Sequence, residues 1–353
     1  MRILHCADIH LDSKLNANFD SVKSRERRAE LVISFKHLVD YAIDNYIDAI
    51  IIAGDLFDTG VISNATIGVV EHCIRKNPQV DFYYLRGNHD EKDVLRELNL
   101  PNLKVFGKDW TYYRPTNGER VVIAGAIEPS EAPVLNASDI NIAVLHGQVY
   151  ENGATDAINL TKLRHKAIDY LALGHIHKYQ IAELDSRGMY CYPGCLESRG
   201  FDECDEHGVV ILDIDDNGTI KRNFVKWGER QVYRINVDIS ECLNTFDALE
   251  KITGTLEEKR VNERDMVEIV LTGNMAELAK ISLAILEGEL SKQYYCVKIK
   301  DSTGIKIDLE DYTKEISLKS EFIRLVMRDS SLDEDTKKEI IRTGLLALAG
   351  EIV

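Results

Sequence analysis

Ile3-Leu4-His5-Cys6-Ala7-Asp8-Ile9-His10-Leu11-Asp12 is a short apolar run that ends in metal-ligand side chains. The same construction returns at Ala49-Ile50-Ile51-Ile52-Ala53-Gly54-Asp55-Leu56-Phe57-Asp58. It returns again where Phe82–Leu85 precedes Gly87-Asn88-His89-Asp90, where Ile142–Leu145 precedes His146-Gly147, and where Tyr170–Leu173 precedes Gly174-His175-Ile176-His177. Short runs of branched and aromatic residues bounded by Gly and Asp predict strands. The series therefore gathers its polar side chains at one rim of a sheet, where open α/β folds keep their sites.

Those side chains are carboxylates, imidazoles and one amide, with no thiolate. Such donors suit manganese, iron or zinc, and suit two such ions sharing a carboxylate. Asp8 and His10 are two apart at a strand end, so an extended backbone points both to one face. Asp55 ends the second strand and is the natural bridge, because a carboxylate offers one oxygen to each ion. Asn88 adds a neutral oxygen. His146, His175 and His177 close the set, the last two again expected to alternate onto one face. His5 lies inside the first strand and is expected to be structural.

Outward from the motifs, apolar residues at Leu31, Val32, Phe35, Leu38, Val39, Ala42 and Ile43 predict a helix between Arg25 and Tyr46. A second helix is predicted through Ile62–Lys76, ahead of a strand at Val80–Leu85. This alternation implies a mainly parallel sheet covered by helices. Strands then crowd together at Val121–Ala126, Ile142–Leu145, Tyr170–Leu173, Met189–Tyr192 and Val209–Ile214. Asp215-Asp216-Asn217-Gly218 predicts a hairpin into Thr219–Val225. The fold class is α/β (mixed α+β), with a two-sheet sandwich flanked by helices over residues 1–228.

The pattern resets near Trp227-Gly228-Glu229. Strands at Val232–Ile239, Met266–Leu271 and Tyr294–Ile299 alternate with helices at Phe246–Lys259 and Met275–Leu290, a βαβαβ unit placed at 229–312. Two helices are expected in the tail, 313–353. Leu318, Phe322, Leu325 and Val326 would line the first, and Ser331-Leu332-Asp333-Glu334 would cap the second. The second carries Ile340, Ile341, Leu345 and Leu346.

The motif series resembles the calcineurin-like metallophosphoesterase superfamily, and within it the SbcD-type nuclease subunit of double-strand-break repair. Asp8–Asp12, Gly54–Gly60 and Tyr192-Pro193-Gly194 carry the narrower likeness, and Glu197–Gly208 is similar to YhaO-like relatives. The resemblance implies two divalent cations, with manganese expected and iron or zinc the alternatives. Asp8, His10, Asp55 and His177 would hold the first ion, and Asp55, Asn88, His146 and His175 the second. It further implies that His89 protonates the leaving oxygen and that Asp90 orients His89. Asp58 stands where eukaryotic and archaeal relatives carry His, and is expected to orient a ligand or its loop. The implied partners are DNA, an SbcC-like coiled-coil ATPase and, as an open alternative, a second copy of the chain. The βαβαβ unit would be a capping domain, and the helical tail would grip the ATPase.

Net charge is −16 over 353 residues. A polyanion is repelled at long range by such a chain, so weak DNA affinity is expected without a partner. Basic stretches at Lys23–Arg28 and Lys162–Lys166 oppose that charge locally. Seven Cys suit a reducing cytosol, and no apolar run reaches the roughly 20 residues of a membrane span. Cys191, Cys195, Cys204 and His207 lack the spacing of a structural zinc site. The leading function is a metal-dependent DNA nuclease. A phosphodiesterase for small nucleotides and a non-catalytic end-binding scaffold remain as alternatives. A protein phosphatase is disfavoured, because Thr59 stands where those relatives carry Arg.

Overall fold

The computed structural model describes residues 1–15, 19–58, 62–90, 94–151, 158–276, 279–305 and 317–348. Two compact units divide the chain, Met1–Gln231 and Val232–Val353.

The first unit opens with β1 (Arg2–Cys6), α1 (Ser21–Asp44), β2 (Ala49–Ala53), α2 (Asn64–Lys76), β3 (Asp81–Leu85) and β4 (Leu103–Val105). Asp20 caps α1 by accepting from the amides of Val22 and Lys23, and Ser63 caps α2 through Thr66. The chain continues through β5 (Thr111–Tyr113), β6 (Val121–Gly125), β7 (Ile140–His146), the two-residue strands β8 (Val149–Tyr150) and β9 (Ile158–Asn159), and α3 (Leu160–Leu163). It closes with β10 (Tyr170–Gly174), β11 (Gln180–Glu183), β12 (Met189–Tyr192), β13 (Gly208–Ile214) and β14 (Ile220–Lys226).

Two six-stranded sheets result, ordered β14-β13-β1-β2-β3-β4 and β11-β12-β10-β7-β6-β5. β1 through β4 run parallel, whereas β13 joins β1 antiparallel and pairs with β14 in the expected hairpin. Strand periodicity sends Ala49, Ile51 and Ala53 to one face. There they share a buried core with Ile123, Ile142, Val144, Tyr170 and Ala172 of the other sheet. Ile50 and Ile52 are equally buried on the opposite face. The sandwich forms because both faces of its central strands are apolar, which is why they read as unbroken hydrophobic runs.

The second unit holds β15 (Val232–Asp238), α4 (Thr245–Glu258), β16 (Met266–Thr272), β17 (Asn274–Met275), α5 (Leu283–Leu290), β18 (Cys296–Asp301) and β19 (Gly304–Ile305). β15, β16 and β18 form a parallel three-stranded sheet. Its core packs Val237, Val267, Ile269 and Val297 with Ala248 and Ile252 of α4 and Leu286 of α5. The helix expected over Met275–Leu290 is shorter, because Asn274–Met275 instead pairs as a strand with Gly304–Ile305. Ser282 caps the helix that remains.

The tail forms α6 (Leu318–Arg328) and α7 (Glu334–Leu348). Ile323, Ile341 and Leu345 make their shared core, with Phe322, Val326 and Met327 against it. Of the residues expected to line one face of α6, Leu318 and Leu325 are exposed. The cap of α7 is Asp333, whose carboxylate accepts from the Thr336 amide, while Ser331 turns back to Asp329. The expected boundary between 312 and 313 lies outside the described residues, as do Thr59 and Gly60.

Candidate metal centre

His146 is the last residue of β7, whereas the other site residues named from the sequence sit just past a strand, and at four of these the backbone is not extended. β1 ends at Cys6, and Asp8 (φ 52°) and His10 (φ 50°) are left-handed. Asp55 (φ 49°) and His175 (φ 101°) share that positive-φ region. Strand alternation therefore does not aim these side chains. Tight left-handed turns do, at a cost of about 1–3 kcal/mol per residue that surrounding structure must offset. Part of that offset is visible: the loops after β1 and β2 zip together through Asp8 N to Gly54 O (3.1 Å), His10 N to Asp55 O (3.0 Å) and Leu11 N to Leu56 O (2.9 Å). Glycine is required where the loops close in. A Cβ on Gly87 would lie 2.1 Å from Asp55 Oδ1, and one on Gly54 2.1 Å from His146 Nδ1.

The donors gather in two overlapping sets. Asp8, His10 and His177 bring ligand atoms within 4.8 Å of one another, and so do Asp8, Asp55 and His146. His10 Nε2 lies 3.2 Å from His177 Nε2 and 3.9 Å from Asp55 Oδ2. On the other side of Asp55, His146 Nε2 lies 3.3 Å from Oδ2 and 3.0 Å from Asn88 Oδ1. His175 Nδ1 lies 3.2 Å from the same Asn88 oxygen. Asp55 thus stands between the two sets.

Hydrogen bonding on the far sides of the rings tests whether cations fit. His146 donates Nδ1–H to Ala53 O at 2.9 Å, which leaves a lone pair on Nε2 facing two oxygens. Facing lone pairs repel unless a proton or a cation lies between them. Burial disfavours the His146 imidazolium, but the hydrogen bond to Asp55 and the charges of Asp8 and Asp55 outweigh it and raise its pKa to about 9. That proton stands where a cation would. Burial likewise pushes Asp8 up to about 6, since its carboxylate is gathered with Asp55 and only partly relieved by His146 and His177. His10 Nδ1 is buried with no hydrogen-bond partner and has Asp58 Oδ1 at 3.9 Å. The donor set fits two hard or borderline divalent cations.

His89 stands beside the first set, its ring edge-on to His10 with centroids 4.9 Å apart. Its Nδ1 lies 2.8 Å from Asp58 Oδ1, so Asp58 orients it. Asp90, expected in that role, does something else. Its carboxylate accepts from the amides of Phe57 (2.8 Å), Gly87 (2.9 Å) and Leu56 (3.3 Å), tying the Asp55 loop to the Asn88 loop. Those three amides, of which Leu56 and Phe57 are buried, hold the Asp90 carboxylate. His10, Asp58 and His89 also form a ligand-capable group of their own. His5 is structural, as expected: Tyr170 Oη and Leu173 O lie 2.9 and 3.2 Å from its two nitrogens, and burial lowers its pKa to about 3.

A calcineurin-like phosphoesterase domain model matches residues 1–179, half of the 353-residue chain, and that span contains every donor described above. The chain belongs to the calcineurin-like phosphoesterase family. Membership implies a phosphoester hydrolase. The phosphoesterase is 25% identical over 300 residues to the metallophosphoesterase YhaO of Bacillus subtilis, covering 78% of this chain and 73% of that one. It is 26% identical to the DNA double-strand break repair protein Mre11 of Aeropyrum pernix, over 71% of this chain and 66% of the relative's length. The SbcD component of the SbcCD nuclease of Escherichia coli is 26% identical over 74% of each chain.

Two residues of the phosphoesterase escaped the sequence reading. Glu203 Oε1 lies 2.7 Å from His177 Nδ1, and Arg199 bonds that carboxylate at 3.3 Å. Burial opposes ionisation of Glu203, but the His177 hydrogen bond and the Arg199 charge outweigh it and hold the carboxyl at about 2. Arg199 also lies 3.8 Å from Asp58. Both residues fall in the Glu197–Gly208 stretch, whose likeness to YhaO-like proteins was the one signal pointing there. Arg27, counted in a basic stretch from the sequence, is buried against Glu30 and Glu197 and is not a surface cation. Among the described residues no helix is long and apolar enough to cross a membrane.

Proposed function

We propose that this chain is a two-metal phosphodiesterase that cleaves DNA as an exonuclease, together with a coiled-coil ATPase of the SbcC type. The observation that carries this reading is the Asp55 carboxylate set between two clusters of nitrogen and oxygen donors, with His89 alongside. Asp8, His10, Asp55 and His177 would hold one cation, and Asp55, Asn88, His146 and His175 the other, with manganese the expected metal. When bound, the ions supply Lewis acidity to the phosphoryl oxygens and to the attacking water.

The chain's own groups do the rest. Asp58 fixes the His89 ring through Nδ1, which leaves Nε2 to deliver a proton to the departing oxygen. Arg199, 3.8 Å from Asp58 and 3.3 Å from Glu203, would hold in place the two carboxylates that orient His89 and His177. Two relatives bear names from DNA double-strand break repair and from the SbcCD nuclease, which favours DNA over a small phosphodiester. The net charge of −16 favours a partner that supplies basic surface.

End-labelled single- and double-stranded DNA incubated with the chain and manganese tests the reading. Wild-type protein should shorten the label, and Asp55→Asn should not. Hydrolysis of a small phosphodiester with intact DNA would instead select the small-nucleotide alternative.

A further inference from the structure

A cavity of about 510 Å³ borders the second donor set, and the reaction described above does not use it. His146 belongs to both: its Nε2 faces Asn88 and Asp55, and the residue also lines the cavity with Gly147. Resting on the phosphodiesterase reading, we propose that this cavity is a nucleoside subsite that receives the base and sugar flanking the scissile phosphate.

Three features of the lining select that occupant. Leu145, Ile158 and Leu163 give it apolar walls, which suit the faces of a heterocycle. Ser130 and the side-chain NH2 of Asn159, whose Oδ1 caps α3 by accepting from the Thr161 amide at 2.9 Å, add neutral hydrogen-bonding groups of the kind that read a base edge. The charges do not favour a phosphate. Glu128 is ion-paired with Lys108 at 3.1 Å, and Glu131 and Lys162 both line the cavity with opposite charges, so the lining has no positive excess to hold an anion. A neutral group must therefore enter while the phosphate stays at the donor sets. The volume lies in the range of ordinary small-molecule sites, about 300–1,000 Å³.

Ala132 lines the cavity from a surface loop, where a larger side chain fills space without disturbing the sheets. The test compares wild type with Ala132→Trp on three manganese-dependent reactions: hydrolysis of the 5′- and the 3′-(p-nitrophenyl phosphate) of thymidine, and of methyl p-nitrophenyl phosphate. The expected result is a rise of about tenfold in KM for at least one thymidine ester, with the methyl ester within about twofold. Free thymidine should also inhibit the wild type competitively and the variant far less. Equal effects on all three esters, or none, would overturn the subsite while leaving the phosphodiesterase reading intact. Failure of wild type to hydrolyse any of them would overturn that reading and the subsite with it.

Discussion

Glu203 Oε1 accepts a hydrogen bond from His177 Nδ1 at 2.7 Å, and this contact decides which nitrogen of His177 faces His10 and Asp8. A ring anchored this way keeps its Nε2 lone pair directed at the donor set. Outer partners of metal-binding imidazoles typically contribute 10–100-fold to metal affinity. Glu203→Gln should therefore weaken manganese binding by about that factor, read by isothermal titration calorimetry. Unchanged affinity would show that His177 needs no such anchor.

His89 and Asp58 should behave as a pair, and Asp90 should not join them. His89→Ala should retain manganese and lose about 10²-fold or more in kcat, the usual effect of removing a general acid. Asp58→Asn should lose part of the same factor, because the 2.8 Å contact to Nδ1 orients the ring. Asp90→Asn should act mainly on stability, since its carboxylate serves amides of two loops, the buried ones of Leu56 and Phe57 each worth about 1–3 kcal/mol if left unmet. Thermal melts beside steady-state kinetics separate the three. A larger kcat loss for Asp90→Asn than for Asp58→Asn, at equal melting temperature, would reverse the assignment.

His5 should make the fold acid-sensitive. Burial holds its pKa at about 3, against an ordinary value of 6.5. Between those values the unfolded chain takes up a proton that the folded chain refuses. The stability His5 permits is thus complete above about pH 6.5 and is lost as the pH falls toward 3, at up to about 1.4 kcal/mol per pH unit. His5→Gln can still meet Tyr170 Oη and Leu173 O but cannot titrate. Its urea-unfolding free energy should fall less steeply over that window, and parallel slopes would remove His5 as the cause.

The sandwich and the donors were legible because one signal carried both. Ile3–Ala7 and Ala49–Ala53 are apolar runs buried on two faces, and each is followed by its ligands. What periodicity could not show was how the ligands are aimed, since Asp8, His10 and Asp55 point by left-handed backbone and not by strand alternation. Glu203 and Arg199 sit in an irregular loop with no period to read. Asp90 was expected to orient His89, and only the fold shows that Asp58 is the carboxylate that meets the imidazole. In the second unit, Met275 left its expected helix for a strand pairing with Ile305, a partner thirty residues away that a local pattern cannot reveal.

The tail should be separable from hydrolysis. α6 and α7 bury Ile323, Ile341 and Leu345 between them and leave Leu318 and Leu325 exposed, an apolar edge available to a coiled coil. Deleting residues 317–353 should abolish co-purification with the ATPase and leave manganese-dependent cleavage of a small phosphodiester within about twofold. Retained co-purification would place the docking surface elsewhere.

The number of ions at Asp55 tests the central claim most directly. Crystals soaked in manganese should give two anomalous peaks at full occupancy, about 3.5–4 Å apart, one on each side of the Asp55 carboxylate. The His10–His177 pair should flank one peak and the Asn88–His146–His175 cluster the other. A single fully occupied peak, or two that do not share Asp55, would contradict the two-metal account.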